Sequence, residues 1–326
     1  MDTSAEEITF VDGRCNFCIQ AEKSLEETHD LVMPKIKGDK YDCLIGLSGG
    51  VDSSYMLHKA VEAGLRPLCY TVDNGYNDPR ADENIMRLVE TLKVPFFRYT
   101  INVDRFKNLQ AAFILAGQKN IEIPTDHILF ATTYEMASKY GIKWILSGGN
   151  ASTESIMPAS WGYNARDLVH IKDVYRKVMR KKLKGLPALS LLKWNYYKWI
   201  KGIKICYYLD HLDYHREEAI KLLTQIYGYK EYGDKHQESR FTTWFQNFYL
   251  YQKFGIDKRK AHYSSLIVSG QMTRDEALEK LKHTPTYSPM GHEGGIMTLP
   301  KRDYREFKTD EKLFNWISKI VKLCRF

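Results

Sequence analysis

Residues 48–54, which read SGGVDSS, constrain the fold of this chain more than any other feature. They lie between an apolar run at 43–47 and a helix-like pattern that begins near residue 52. A glycine-rich turn between a strand and a helix directs backbone N–H groups, and the positive end of the helix dipole, at whatever lies above the strand. The sequence therefore predicts an α/β fold with a phosphate-binding site at the carboxyl end of this strand.

This loop also carries the polar groups that such a site requires. Asp52 places a carboxylate beside the phosphates, which is best explained by a bound Mg²⁺. The GxxxxGK[ST] phosphate loop is absent from the sequence, and 48–54 instead resembles the shorter loop of the PP-loop ATP pyrophosphatases, which split ATP between its α and β phosphates. The alternative is a Ser/Gly-rich surface turn. The predicted ATP-binding residues here are Ser48, Gly49, Gly50, Asp52, Ser53 and Ser54.

Strand-like and helix-like patterns alternate from residue 41 to about residue 175. This alternation predicts a doubly wound parallel sheet of five strands, of the adenine nucleotide alpha hydrolase-like kind, with ligands at the carboxyl ends of the strands. The predicted strands are 43–47, 67–72, 94–101, 144–146 and 168–171. The predicted helices lie near 52–64, 79–92, 104–118 and 128–140.

Three regions are predicted from these patterns. Residues 1–40 form a leader with one CxxC pair, 41–175 the nucleotide-binding domain, and 176–326 a helical region that caps the sheet and holds substrate. The aromatic and Lys-rich stretch 186–209 has two interpretations, a membrane or nucleic-acid surface and a lid packed on the core. We favour the lid, because the lysines recur without one clean polar face.

Three further turns supply candidate site residues. Gly148, Gly149 and Asn150 follow the fourth predicted strand and are expected to form a second wall of the nucleotide cleft; an ordinary strand-to-helix turn is the alternative. Asp73 ends the second predicted strand and is placed with the adenosine, against the alternative of a plain Asp-Asn-Gly turn. Asp126 is expected to cap a helix, and the neighbouring His127 is either a substrate contact or a structural histidine.

Two polar segments lie in the predicted helical region, at 232–240 and 257–262. Their mixture of acids, bases and glycine exceeds what a solvated helix face needs, although surface charge and helix caps remain the alternative. From them we take Lys235, His236, Lys258 and Arg259 as catalytic candidates that hold pyrophosphate and an acidic substrate.

Composition narrows the class of partner. The 326 residues carry a net charge of +8, which suits anionic partners such as ATP, a sugar nucleotide, an RNA or a membrane face. The chain shows no apolar run long enough to span a membrane and no secretory signal, so cytoplasm is the expected compartment. Cys15 and Cys18 have the spacing of half a zinc site.

The chain as a whole resembles the N-acetyl sugar amidotransferases of bacterial surface-glycan biosynthesis, within the PP-loop ATP pyrophosphatase superfamily. The resemblance is carried by five groups of residues: Cys15-Asn16-Phe17-Cys18; the loop at 48–54; SGGNASTES at 147–155 with Pro158 and Trp161; Tyr232-Gly233 to Phe241-Thr242; and Lys253-Phe254-Gly255 through Arg274.

This resemblance implies a reaction. ATP adenylates the carbonyl oxygen of an N-acetyl group on a nucleotide-activated sugar, and ammonia then expels AMP to leave an acetamidino group, as in lipopolysaccharide O-antigen biosynthesis. It also implies a glutaminase partner that supplies ammonia, with a cyclase homologue, both similar to those of histidine synthesis. No nucleic acid is expected. Members of the family carry a further CxxC that completes a four-cysteine zinc site, so we expect the natural chain to extend upstream of Met1.

Two other functions remain open from the sequence. A tRNA-modifying PP-loop ATP pyrophosphatase, either a thiolase or a lysine ligase, suits the positive charge, although no CxxC follows the loop at 48–54. A non-enzymatic nucleotide-binding or membrane-associated scaffold would use the stretch 186–209. The sugar, its UDP or CMP carrier and the oligomeric state are not specified by the sequence.

Overall fold

A five-stranded parallel sheet forms the centre of the structure, a computed structural model that describes residues 1, 4–232, 237–291 and 293–316. The strands, in chain order, are β1 (Phe10–Val11), β2 (Arg14–Cys15), β3 (Cys43–Gly46), β4 (Pro67–Asp73), β5 (Phe96–Thr100), β6 (Trp144–Ser147) and β7 (Lys204–Tyr207). β1 and β2 form a separate antiparallel pair.

Helices surround this sheet and build most of the second half of the chain. The α-helices are α1 (Asn16–His29), α2 (Val51–Glu62), α3 (Pro79–Leu92), α4 (Val103–Leu115), α5 (Ile123–Lys139), α6 (Ala151–Glu154), α7 (Leu168–Met179), α8 (Leu191–Asn195), α9 (Arg216–Tyr227), α10 (Arg240–Trp244), α11 (Arg259–Val268), α12 (Arg274–Leu281) and α13 (Glu293–Thr298). Segments Tyr196–Ile200 and Phe245–Phe254 are π-helical, and Ala159–Trp161, Tyr208–His211 and Tyr304–Glu306 are 3₁₀ turns.

The order of the strands in the sheet places the ligand site. It runs β5-β4-β3-β6-β7, so the chain builds outward from β3 in one direction and then continues from β6 in the other. Leu44 of β3 pairs with Leu68 of β4 on one side and with Ile145 of β6 on the other. In open parallel sheets, ligands bind at the carboxyl ends of the two strands where this reversal occurs. Here those strands are β3 and β6, which the two glycine loops follow.

The predicted fold class is confirmed, but one predicted strand is wrong. Residues 168–171 begin helix α7, because the Asp167 side chain accepts a hydrogen bond of 2.8 Å from the N–H of His170 and caps the helix. The fifth strand is β7, in which Cys206 pairs with Leu146. β7 belongs to the third predicted region and completes the sheet of the second; the proposed boundaries between regions stay predictions.

The aromatic stretch 186–209 packs partly on the sheet. Leu189 and Tyr197 are buried in the core beside the sheet, and the ring of Tyr197 stacks on that of Tyr134. Leu192 and Ile200 are exposed. Across the part of the chain that the structure describes, every helix is too short or too polar to span a bilayer.

Candidate nucleotide-binding site

The two glycine loops predicted to share a cleft are in contact. A Cβ atom added to Gly148 would lie 3.2 Å from the amide nitrogen of Ser53 and 3.5 Å from Cβ of Asp52. The second loop therefore packs directly on the first turn of α2, and a larger residue at 148 would push the loops apart. The two loops lie together, and their role as two walls of a nucleotide cleft stays a prediction.

The first loop has the geometry of an anion cradle. Gly49 adopts a φ of +82°, and a Cβ atom there would lie 2.3 Å from the carbonyl oxygen of Ala81. The hydroxyls of Ser48 and Ser53 lie 3.2 Å apart, and the N–H of Gly50 donates to Ser48 Oγ at 3.2 Å. α2 begins at the next residue, so its unpaired amide groups open toward this turn.

Asp52 is held by a residue that the sequence did not reveal. The hydroxyl of Tyr214 donates a hydrogen bond to Asp52 Oδ1. Burial, with the Asp52 charge beside it, raises the pKa of Tyr214 well above its ordinary range, so the phenol stays a donor. A carboxylate oriented in this way beside phosphate-binding amides fits the oxygen donor set that Mg²⁺ prefers.

A cavity of about 540 Å³ opens at the carboxyl ends of the sheet strands. Its walls include Ser48 and Gly148 from the two loops and Asn74 from the end of β4. This volume lies within the range of small-molecule sites, about 300–1,000 Å³. The cavity is therefore the candidate site for the nucleotide and its acceptor.

Two predicted nucleotide contacts are placed differently from the glycines. Asp73 Oδ1 accepts from the N–H of Gly75 at 3.0 Å, and Oδ2 lies 3.9 Å from Arg98, while the neighbouring Asn74 lines the cavity. The Asn150 side chain caps α6, accepting from Thr153 N at 2.9 Å, and its amide donates to the carbonyl of Gly148. Gly149 lies beside Glu154 and Tyr207.

The segment that begins at residue 238 closes one side of the cavity. The N–H of Asp78 donates to the carbonyl of Glu238 at 2.8 Å, and Asn77 bridges to Ser239. Glu238, Ser239 and Thr242 line the cavity. The carboxyl carbon of Glu238 lies 3.9 Å from the Cβ position of Gly50, so this segment lies over the glycine loop.

Two acids at the start of α5, Glu122 and Asp126, line the cavity, and the sequence analysis did not assign them to it. Burial, together with the neighbouring Asp126 carboxyl, raises the pKa of Glu122 to about 8 against the effect of Lys258. Burial raises the pKa of Asp126 to about 6, again against Lys258. Burial also lowers the pKa of Lys258. Asp126 lies within the first turn of α5 and does not cap it, contrary to the expectation.

The remaining predicted residues have separate roles. Arg259 forms a bidentate pair with Asp257, with its shortest contact at 2.7 Å, and it lines a second, smaller cavity with Lys258. Lys235 and His236 lie outside the described residues. His127 is structural: its Nδ1 pairs with the carbonyl of Ala165, and its Nε2 accepts from Leu189 N.

The CxxC pair lies apart from the cavity, at the start of α1. The sulfurs of Cys15 and Cys18 are 3.2 Å apart, and the Met1 ammonium lies 3.9 Å from Cys18. Among the described residues, no group of three or more His, Cys, Asp or Glu side chains is placed to hold a metal. Structural zinc takes four ligands, so these two thiols alone do not fit a closed zinc site.

Comparison with known proteins identifies the segment that closes the cavity. Residues 238–293 match the family model described as "LPS biosynthesis protein WbpG-like, C-terminal domain". We refer to residues 238–293 as the WbpG-like domain. The predicted resemblance to proteins of bacterial surface-glycan biosynthesis is thereby confirmed over this segment. The WbpG-like domain supplies Glu238, Ser239 and Thr242 of the cavity wall, and also Lys258 and Arg259.

Other similarities are more distant. The chain is 28% identical over 129 residues to the uncharacterized protein MJ1599 of Methanocaldococcus jannaschii, a match that covers 39% of this chain and 45% of that protein. Among solved structures, NMN synthetase from Francisella tularensis has a TM-score of 0.35 at 13% identity, covering 85% of this chain and 97% of that one. The U34-tRNA thiolase NcsA from Methanococcus maripaludis has a TM-score of 0.33 at 11% identity, covering 86% and 87%.

Proposed function

We propose that this chain is an ATP-dependent amidotransferase of surface-glycan biosynthesis. In this reaction, ATP adenylates the carbonyl oxygen of an N-acetyl group on a nucleotide-activated sugar, and ammonia replaces the adenylated oxygen. The observation that carries the proposal is the shared cavity. Ser48 and Gly148 of the two glycine loops line it together with Glu238, Ser239 and Thr242 of the WbpG-like domain.

Each side of the cavity has a role in this reaction. The unpaired amides in the first turn of α2, which follows the glycine loop, bind the phosphates, and the hydroxyls of Ser48 and Ser53 add donors. Mg²⁺, held by Asp52, would neutralise the charge that develops on the phosphates. The WbpG-like domain holds the sugar so that its carbonyl oxygen faces the α phosphate. Lys258 supplies positive charge beside the acids of this cavity, whereas Arg259 pairs with Asp257 and lines the smaller cavity.

No nucleophilic side chain is needed, because the acceptor is the substrate's own oxygen. The thiol chemistry of a tRNA thiolase is not favoured by the cysteines near the loop. Cys43 and Cys69 are fully buried in the sheet, and burial raises the pKa of Cys69 to about 12. A thiolate does not form readily in such surroundings. A separate glutaminase is the proposed source of ammonia.

Release of AMP and pyrophosphate tests the proposal. The protein is incubated with ATP, Mg²⁺ and an ammonium salt, and with a panel of UDP- and CMP-linked N-acetyl sugars or with bulk tRNA. We expect release that depends on both ammonium and one sugar, with a product about one mass unit lighter, as NH replaces O. Release with tRNA alone would reject the amidotransferase. The absence of release with every acceptor of the panel would also reject it.

A further inference from the structure

We propose that Glu122 and Asp126 form the site that binds ammonium and takes its protons during amidine formation. This inference rests on the proposed function and assigns a part of the reaction that the glycine loops cannot perform. Both residues belong to the same turn at the start of α5, four positions apart, and both line the cavity at the carboxyl ends of the strands. Glu238, Ser239 and Thr242 of the WbpG-like domain line the same cavity.

The two carboxyls differ from ordinary surface acids in their contacts. Glu122 Oε2 accepts a hydrogen bond of 2.9 Å from Thr242 Oγ1, which fixes the orientation of the group. Its second oxygen, Oε1, is buried and accepts no hydrogen bond from any residue that the structure describes. A buried carboxylate oxygen without a donor is costly, so it is well placed to receive one from a ligand. Asp126 is exposed to solvent within the cavity, although protein atoms surround its carboxyl group.

Charge in the surroundings suits a small cation. Among the described residues, Lys258 is the cation that acts on both carboxyls, and Glu238 adds negative charge beside Glu122. The two groups titrate together, and burial raises the pKa of both, so the pair resists losing both protons. A bound cation favours the ionised form of both carboxyls. Ammonium brings that positive charge together with N–H donors for the free oxygen.

The proton balance of the reaction requires two acceptors. The nitrogen enters as NH₄⁺ and leaves as the =NH₂⁺ of an acetamidinium, so it gives up two protons. One carboxylate takes the first proton, and the freed lone pair forms the C–N bond at the carbon of the cationic O-adenylyl imidate. The second carboxylate takes the second proton as the C–O bond breaks and its electron pair leaves with AMP. Two carboxylates at one site match this count.

The isosteric variants Glu122→Gln and Asp126→Asn test the assignment against three readouts: sugar-dependent exchange of pyrophosphate into ATP, turnover with ammonium, and turnover with hydroxylamine. Hydroxylamine is uncharged at neutral pH and needs no base to expose its lone pair. We expect turnover with ammonium to fall by about 10²–10⁴-fold, the usual contribution of a general base. Exchange should stay within about threefold of the unmodified protein, and hydroxylamine should restore most of the turnover.

Glu135→Gln is the matched control, since Glu135 lies on the same helix with its side chain 44% exposed. It should leave all three readouts unchanged, and thermal melting verifies that each variant folds. Unchanged ammonium turnover in both cavity variants would overturn the assignment. Parallel loss of exchange, ammonium turnover and hydroxylamine turnover would also overturn it, because it would indicate a role in binding or folding. If the unmodified protein forms no amidine with any sugar, the proposed function itself fails, and this inference with it.

Discussion

The hydroxyl of Tyr214 donates a hydrogen bond to Oδ1 of Asp52, joining residues 162 positions apart in the sequence. Tyr214 lies just before α9, and its buried ring packs beside Tyr55 of α2, with ring centroids 5.4 Å apart. Asp52 itself belongs to the first turn of α2, directly after the glycine loop. Tyr214 is thus the residue that orients the carboxylate assigned to Mg²⁺.

Replacing Tyr214 by Phe removes this donor without removing the ring. We expect turnover of ATP to fall by about 10–100-fold, as is typical when a group that orients a metal-ligating carboxylate is lost. The dependence on Mg²⁺ concentration should shift to higher concentration at the same time. The measurement is AMP release as a function of Mg²⁺ at saturating ATP.

Tyr227→Phe provides the control for this variant. The hydroxyl of Tyr227, at the end of α9, pairs with His58 Nδ1 on α2 at 2.8 Å, so it joins the same two helices away from the loop. Tyr227→Phe should lose about 0.5–1.5 kcal/mol of unfolding free energy, and Tyr214→Phe, whose partner is a carboxylate, about 1.5–3 kcal/mol. Equal effects of the two on Mg²⁺ dependence would contradict the role given to Tyr214.

Asp52→Ala tests the carboxylate itself. Removing the oxygen ligand for Mg²⁺ should reduce AMP release by several orders of magnitude while the protein stays folded. The readout is AMP release together with the melting temperature. Activity near that of the unmodified protein would show that Asp52 does not hold the metal.

The strands and the nucleotide loops were predictable because their signals are local. The apolar run at 43–47 and the glycine turn that follows specify both a strand and its ligand end. Ligands bind where the strand order of a parallel sheet reverses, and this rule alone predicts that residue 148 lies near residue 52. Strand β7 was missed because its four residues lie in an aromatic stretch and pair with β6 only through the tertiary fold.

The two acids that line the cavity were harder to predict. Helix α5 begins at Ile123, five residues before the predicted start, so Asp126 was interpreted as a cap when it belongs to the first turn. The pKa values of Glu122 and Asp126 are raised by burial, against the opposing charge of Lys258, and both the burial and Lys258 depend on residues from elsewhere in the chain. An acid pair four positions apart among apolar residues was the one available signal. The burial that raises the pKa values of the pair cannot be inferred from the sequence.

The steric cost of a side chain at position 49 can be measured by comparison with another glycine. Gly49 and Gly64 have similar positive φ values, +82° and +77°, but only at Gly49 would a Cβ atom meet a backbone atom, the carbonyl oxygen of Ala81 at 2.3 Å. Gly64→Ala should cost about 1–2 kcal/mol, the left-handed penalty alone. Gly49→Ala should cost several kcal/mol more and disturb the loop. Urea unfolding of both variants gives the difference, and equal costs would contradict the close contact with Ala81.

His170 is fully buried, and neither ring nitrogen has a hydrogen-bond partner within the described part of the chain. Its ring contacts those of Phe113, Tyr163 and Phe307, so the segment near residue 307 packs on it. Burial lowers the pKa of His170 to about 4, with Asp167 and Asp173 opposing the shift and Lys177 adding to it. The folded protein therefore keeps this imidazole neutral at pH values where the unfolded chain protonates it.

This difference makes stability depend on pH in one direction. Above about pH 6.5 neither state protonates His170, and as the pH falls toward 4 the unfolded state binds the proton first, so the folded state loses up to about 2–3 kcal/mol from this residue. His170→Leu removes that term, because it deletes the titrating group without orphaning a hydrogen bond. Urea unfolding between pH 7 and 4.5 should show that the unfolding free energy of the variant falls less than that of the unmodified protein as the pH is lowered. His127→Leu, which leaves Leu189 N without its acceptor, should instead be destabilised already at pH 7. Parallel pH curves for His170→Leu and the unmodified protein would show that His170 is not the group that titrates.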